Sequence, residues 1–164
     1  MAASWQIGAP VATEAQPMRA STSTITFETV RAPEFVDITD SVCDIIRQSG
    51  IQIGIAMVFS RHTTGAIKIN ESEPLLIKDM EEFLDRVAPR NGDYRHNDFS
   101  VRTVNMTEDE CPNGHAHCQH LLLSTSESVP IIGGEPQFGQ YQRVFFIELD
   151  RPRSREVMVQ LLGA

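Results

Sequence analysis

Residues 51–60 read Ile-Gln-Ile-Gly-Ile-Ala-Met-Val-Phe-Ser. Too apolar for an exposed strand and too short for a typical helix, this run reads as the buried central strand of a sheet. Its neighbours on both sides extend the pattern. Upstream, Gly50 stops a helix predicted from Thr39, with Thr39 as N-cap, Asp40 at the positive end of the helix dipole, and Val42, Ile45 and Ile46 along one narrow face. Before that helix, Ser23–Val30 alternates and is rich in β-branched residues, so it reads as a strand, and Pro33 interrupts it. Downstream, 66–69 reads as a short strand, and Glu71-Ser72-Glu73-Pro74 opens the clearest helix. In that helix Leu76, Met80, Phe83, Leu84 and Val87 form one apolar stripe, and Pro89 marks the stop. Apolar runs at 120–124, 129–132, 143–149 and 156–162 read as further strands, the last also compatible with a helix, with a turn at Gly133-Gly134. The expected architecture is α+β: a single domain over 21–164, with a mostly antiparallel sheet carrying two main helices on one side.

Composition sets the outer limits. The chain has 164 residues, 41% hydrophobic and 22% charged, which suits one globular domain. No apolar run approaches the ~20 residues of a membrane span. A formal net charge of −8 argues against broad contact with nucleic acid or an anionic membrane. Cys43, Cys111 and Cys118 make no disulfide framework, and the start of the chain lacks the pattern of a secretory leader, so a cytoplasmic protein with reduced thiols is expected. Residues 1–20 show no sustained period and read as a flexible tail dispensable for folding. Residues 89–114 are polar and rich in Asn, Asp and Gly, and loops of this length are usually functional or mobile.

All five histidines, His62, His96, His115, His117 and His120, fall between positions 62 and 120. Histidine is the commonest metal ligand and the only side chain that ordinarily titrates near neutrality. If 115–123 is extended, His115 and His117 share a face and His120 points away, so that Ala at 120 should matter much less than Ala at 117. The bland alternative is that polar loops collect histidines. No CxxC pair or HExxH helix supports a structural zinc site. Cys118 lies among the histidines, either as an activated thiol or as a packed strand residue. Glu148 and Asp150 have the same parity, and one of them could orient a histidine ring. The cations Arg61, Lys68, Arg95, Arg102 and Arg143 flank the same segments and suit a phosphate or carboxylate ligand; pairing with neighbouring Asp and Glu is the competing reading. Gly-rich phosphate loops and the serine-hydrolase elbow are absent.

Four motifs in order, HTTGAIKINESEP (62–74), DYRHND (93–98), NGHAHCQH (113–120) and SVPIIGGEPQFGQYQRVFFIELDRPRSREV (128–157), resemble the YjbQ-like family from about Ser23 to the end. The resemblance implies an α+β fold, a homotrimer and a histidine-built site. It places the HTT histidine at His62, the RHN histidine at His96 and the N-x-x-x-H pair at Asn113 and His117; Gln142 matches the family's W-Q-x-I motif, with Tyr141 where the family often has Trp. The loop 99–112 is longer than in short members. On this basis His62, His96 and His117 are expected to be catalytic and to bind a divalent metal, zinc by ligand type, with Thr63, Lys68, Arg95, Asn113 and Arg143 contacting a small anionic or phosphorylated metabolite. His115, Cys118 and Glu148 are further candidates. Some family members carry the label secondary thiamine-phosphate synthase. Two functions follow: a metal-dependent enzyme acting on phosphorylated metabolites, as a transferase or hydrolase, or a non-catalytic trimeric protein that holds a metal or small anion.

Overall fold

The structure is a computed structural model describing residues 8, 9 and 17–164; 1–7 and 10–16, which make up most of the expected tail, lie outside them. Arg19 and Ala20, assigned to that tail, are instead the first residues of β1 (Arg19–Glu28), paired with Gly163 and Leu162. There follow β2 (Glu34–Asp37), α1 (Thr39–Ser49), β3 (Ile53–Ser60), β4 (Gly65–Glu71), α2 (Pro74–Val87), a single 3-10 turn (Arg95–Asn97) and α3 (Gly114–His120). The chain ends with β5 (Ser126–Ile132), β6 (Glu135–Pro136), β7 (Gln142–Glu148) and β8 (Ser154–Gly163). The α+β class and the antiparallel pairing expected from sequence are present, with the strands divided between two sheets, β1-β8-β3-β5-β6 and β2-β7-β4.

Burial follows from the layering. On β8, Val157, Val159 and Leu161 alternate inward and pack with Ala56 and Val58 of β3 and Val129 and Ile131 of β5. Val144 and Phe146 of β7 complete that core from the smaller sheet, together with Val42 and Ile46 of α1. The intervening Phe145 and Ile147 face the other way, onto Leu84 of α2 and Ala116 of α3. The three-stranded sheet is thus covered on both faces, which explains why Val-Phe-Phe-Ile carries no polar alternation.

Local chemistry sets the helix ends. Gly50 terminates α1 at φ 69°, a left-handed conformation that glycine adopts without penalty. Thr39 is not the cap but the first helical residue: its hydroxyl donates to Asp37 Oδ1 (2.6 Å) and accepts from the Val144 N–H (2.8 Å), while Asp37 Oδ1 also accepts from the Thr39 N–H (3.0 Å). Glu73 caps α2, accepting from the Leu75 and Leu76 N–H groups. The expected apolar stripe of α2 is only partly covered; Leu84 is buried, but Phe83 and Val87 are each 50% exposed.

The main correction concerns 114–124. The strand expected at 120–124 and the extended 115–123 are replaced by α3 and two further turns, with Ser124 making a lone bridge to Ile67. Gly-His-Ala-His-Cys-Gln-His contains no β-branched residue to favour a strand, and Asn113 begins the helix by accepting from Ala116 N–H (2.9 Å).

Gly54 and Gly163 face each other across β3 and β8, and a Cβ on either would run into the opposite backbone. Gly163→Ala should therefore push the strands apart and lower stability by about 1–3 kcal/mol, read as a shift of the urea midpoint with unchanged slope.

Candidate functional site

The β3–β4 turn, the 3-10 turn, α3 and the start of β8 meet around a cavity of about 470 Å³. The turn is built by Ser60, whose hydroxyl donates to the Gly65 carbonyl (2.7 Å) and accepts from the His62 N–H (3.3 Å). His62 Nε2 accepts from the Glu156 N–H (3.3 Å). Across the cavity, the rings of His96 and His117 stand 4.7 Å apart, edge to face. Thr63 and Asn113 also line it. Five of the residues expected from sequence therefore converge: His62, His96, His117, Thr63 and Asn113. Lys68, Arg95 and Arg143 do not line it. Lys68 pairs with Glu127, and Arg143 is held by Asp37 and Asp40 at the start of α1. Arg95 is exposed on the 3-10 turn.

The cations that do line the cavity are Arg61, Arg102, Arg153 and Arg155. Arg61 and Arg102 were visible in the sequence as cations beside the histidines; Arg153 and Arg155 were missed. Arg155 could have been found: it falls on the inward parity of β8 with Val157 and Val159, and an inward arginine needs a buried partner. That partner is Glu148, which takes Arg155 in a two-point ion pair, both N–O distances 2.6 Å, with both side chains almost fully buried. Arg155 also donates to Thr64 Oγ1 (3.2 Å). Arg153 pairs with Asp150, Arg102 with Glu110 and Arg61 with Glu156. Each arginine thus has a carboxylate, yet donors remain. Arg102 Nη1 and Arg153 Nε are buried without a hydrogen-bond partner, as are Asn113 Oδ1 and His96 Nε2. Four unmet polar atoms around one cavity are costly unless a ligand or water meets them.

A mostly apolar cavity of about 450 Å³ adjoins the first and shares Arg61, His62, Thr63 and His117 with it. His120, Cys118, Leu121 and Phe59 line it as well. His120 is therefore not turned away, as an extended strand would require: in a helix, positions 117 and 120 are three apart and share a face. His115 is the residue that leaves the group, lining a separate cavity with Gln119 and Leu149.

His96 and His117 supply two adjacent imidazoles suited to a divalent ion, and the unmet His96 Nε2 fits that use. His62 does not complete a set: its Nε2 is engaged by Glu156, and among the described residues no three His, Cys, Asp or Glu side chains are grouped to hold one metal ion.

Burial pushes the imidazoles of His62, His115, His117 and His120 below the ordinary histidine range; Arg155 adds to this at His62, Arg90 at His115 and His96 at His117. The folded chain then binds fewer protons than the unfolded chain between the lowered values and the ordinary ~6.5, so stability rises with pH across that window. The metal-free protein should hold this contribution in full at pH 7.5 and lose it progressively as pH falls below ~6.5 and through the lowered values, read as a lower urea midpoint.

Two antiparallel sheets and an arginine- and histidine-lined cavity define a small α+β protein with a polar pocket. The chain belongs to the UPF0047 protein YjbQ-like family, whose model matches residues 23–164. A UPF0047 protein of Methanothermobacter thermautotrophicus is 38% identical over 146 residues, spanning 89% of this chain and 94% of the relative. The UPF0047 protein YugU of Bacillus subtilis is 30% identical over 142 residues, 85% of this chain and 98% of the relative. Among solved structures, a YbjQ-like protein of unknown function from Sulfolobus solfataricus superposes with a TM-score of 0.80 at 32% identity, covering 90% of this chain and 99% of its own. A hypothetical protein from Aeropyrum pernix gives 0.78 at 32%, covering 88% and 99%. Among the described residues, no helix is long and apolar enough to cross a membrane.

Proposed function

We propose that the arginine–histidine cavity binds a small phosphorylated metabolite and acts on it as an enzyme. The observation that carries this reading is the set of unmet buried atoms on Arg102, Arg153, Asn113 and His96 around one cavity. The two guanidinium donors suit phosphate oxygens, and Asn113 Oδ1 suits a ligand hydroxyl or N–H. Burial favours the neutral form of His117, the form in which an imidazole nitrogen holds a metal ion. A divalent ion, zinc by donor type, belongs to the proposal at His96 and His117, where it would polarise a phosphoryl oxygen. Joining an aminopyrimidine diphosphate to a thiazole phosphate with release of pyrophosphate, the reaction implied by the resemblance, is one transfer of this kind; phosphate ester hydrolysis is another. The test is metal analysis of the purified protein, followed by turnover assays with those two substrates and with p-nitrophenyl phosphate, each with and without added zinc.

A second reading rests on the pairing of every cavity arginine with a carboxylate, which suits holding an anion more than driving its transfer. It makes the chain a non-catalytic anion- or metal-binding trimer, and saturable phosphate binding without turnover selects it.

The homotrimer is part of both readings. The outer face of the larger sheet carries Ile55, Leu162 and Ile132, 43–46% exposed, beside Met57, Phe59 and Met158. No layer of the described chain covers this face, and a neighbouring copy would. Light scattering at micromolar concentration should give three times the chain mass; a monomer overturns the assignment. A cytoplasmic location accords with three unpaired thiols, Cys43, Cys111 and Cys118.

A further inference from the structure

A separate cavity of about 430 Å³ lies between α2, the turn at Ala32-Pro33 and α3, and shares no residue with the arginine–histidine cavity. Its floor is formed by His115 and Gln119, four apart on α3 and therefore on one face, each only 2% exposed. The orientation of Gln119 is fixed by chemistry: its amide nitrogen donates to the carbonyls of Leu84 (3.2 Å) and Ala88 (3.0 Å), so Oε1 is the free atom. That oxygen has no partner. Neither ring nitrogen of His115 reaches hydrogen-bond geometry; one faces the Leu149 backbone at longer range. A neutral imidazole with its N–H on the Leu149 side leaves its other nitrogen an unmet acceptor among the residues that line the cavity. The floor then presents two unmet acceptors, and it asks for two N–H donors.

The walls say what carries those donors. Glu81, Glu82 and Asp85 are matched by Arg86, Arg90 and the Arg31 guanidinium bonded to Glu81, so no net charge selects an ion. Pro33 and Leu149 add apolar surface for a flat body. Arg86 makes no ion pair among the described residues and is free at the rim to donate to a ligand acceptor.

We propose that this cavity is a second ligand site, which takes a small neutral molecule bearing a primary carboxamide or the equivalent amino group of an N-heterocycle. The NH2 group donates to Gln119 Oε1 and His115, and the carbonyl or ring nitrogen accepts from Arg86. The site does not depend on the proposed phosphate chemistry.

The experiment is a protein-observed NMR titration with nicotinamide and 6-aminopurine, alongside N,N-dimethylnicotinamide and 6-dimethylaminopurine, which lack the paired donors. Saturable shifts at amides of α2 and α3 with the first pair, and at least tenfold weaker binding of the dimethyl pair, are expected. His115→Phe should abolish the shifts while leaving phosphate binding in the other cavity unchanged. Absence of saturable shifts with either amino compound overturns the proposal, as does equal binding of the dimethyl analogues. The analogue comparison uses the unaltered protein, so it decides even where the His115 variant fails to fold.

Discussion

Replacing Glu148 with Ala should lower stability by about 3–5 kcal/mol, the usual cost of leaving one member of a buried ion pair alone, and reduce the melting temperature by roughly 10 °C for a domain of this size. Glu148 is fully buried and accepts from four donors: Arg155 Nε and Nη2, the Asp150 N–H (3.0 Å) and the Thr29 hydroxyl (3.2 Å). Its removal strands the Arg155 charge 3% exposed in the interior. Glu148→Leu combined with Arg155→Met should regain much of the loss, because two apolar side chains need no partner. Urea and thermal unfolding of the single and double variants measure this. A single variant within 1 kcal/mol of the parent would mean that water already reaches the pair.

The second large effect is expected at His117. His117→Ala should lower turnover at least a hundredfold, because it removes one of the two imidazoles proposed to hold the ion that polarises the phosphoryl oxygen, and should remove most of the bound metal. The variant opens both cavities at once, since His117 is on their shared wall and packs against His96. Arg102→Ala provides the contrast: it removes a phosphate donor without touching a histidine, so substrate affinity falls while metal content stays. His120→Ala affects only the apolar neighbour of the site and should alter the preference among phosphate esters more than the rate. Metal content unchanged in His117→Ala would assign the ion elsewhere.

Much of this architecture was legible because hydrophobic periodicity and local stop signals both act at short range. The central strand at 53–60, buried on one face only, the glycine end of α1 and the Pro74 start of α2 are decided by residues within a few positions of each other. The error at 114–124 arose where the local signal is weak. Histidine, cysteine and glutamine have no strong preference, and the helix is selected by packing of Ala116 against Ile147 and Leu149, far away in the chain. The site followed the same division. His62, His96, His117 and Asn113 were found through short motifs, whereas Lys68 and Arg143 were misplaced because nearness in sequence to a histidine does not establish which face of a strand a cation occupies. On β4 and β7 those cations reach Glu127, Asp37 and Asp40 instead. Arg155 shares the inward parity of Val157 and Val159 and was legible in principle, whereas Arg153 lies in the turn before β8, which no spacing rule describes.

The strand order β1-β8-β3 has a consequence for synthesis of the chain. β8, which follows every other described strand in sequence, is inserted between the first and the third, in register from Arg19 opposite Gly163 to Glu28 opposite Ser154. Until then β1 has no partner, and the inner edge of β3 is open along its length. The nascent protein must carry two unsatisfied strand edges until β8 is made, a state prone to pairing with other chains. Closure of the sheet thus waits for a strand made after all the others, and Arg155, carried on that strand, reaches Glu148 only then, so the arginine–histidine cavity is among the last parts of the domain to be completed.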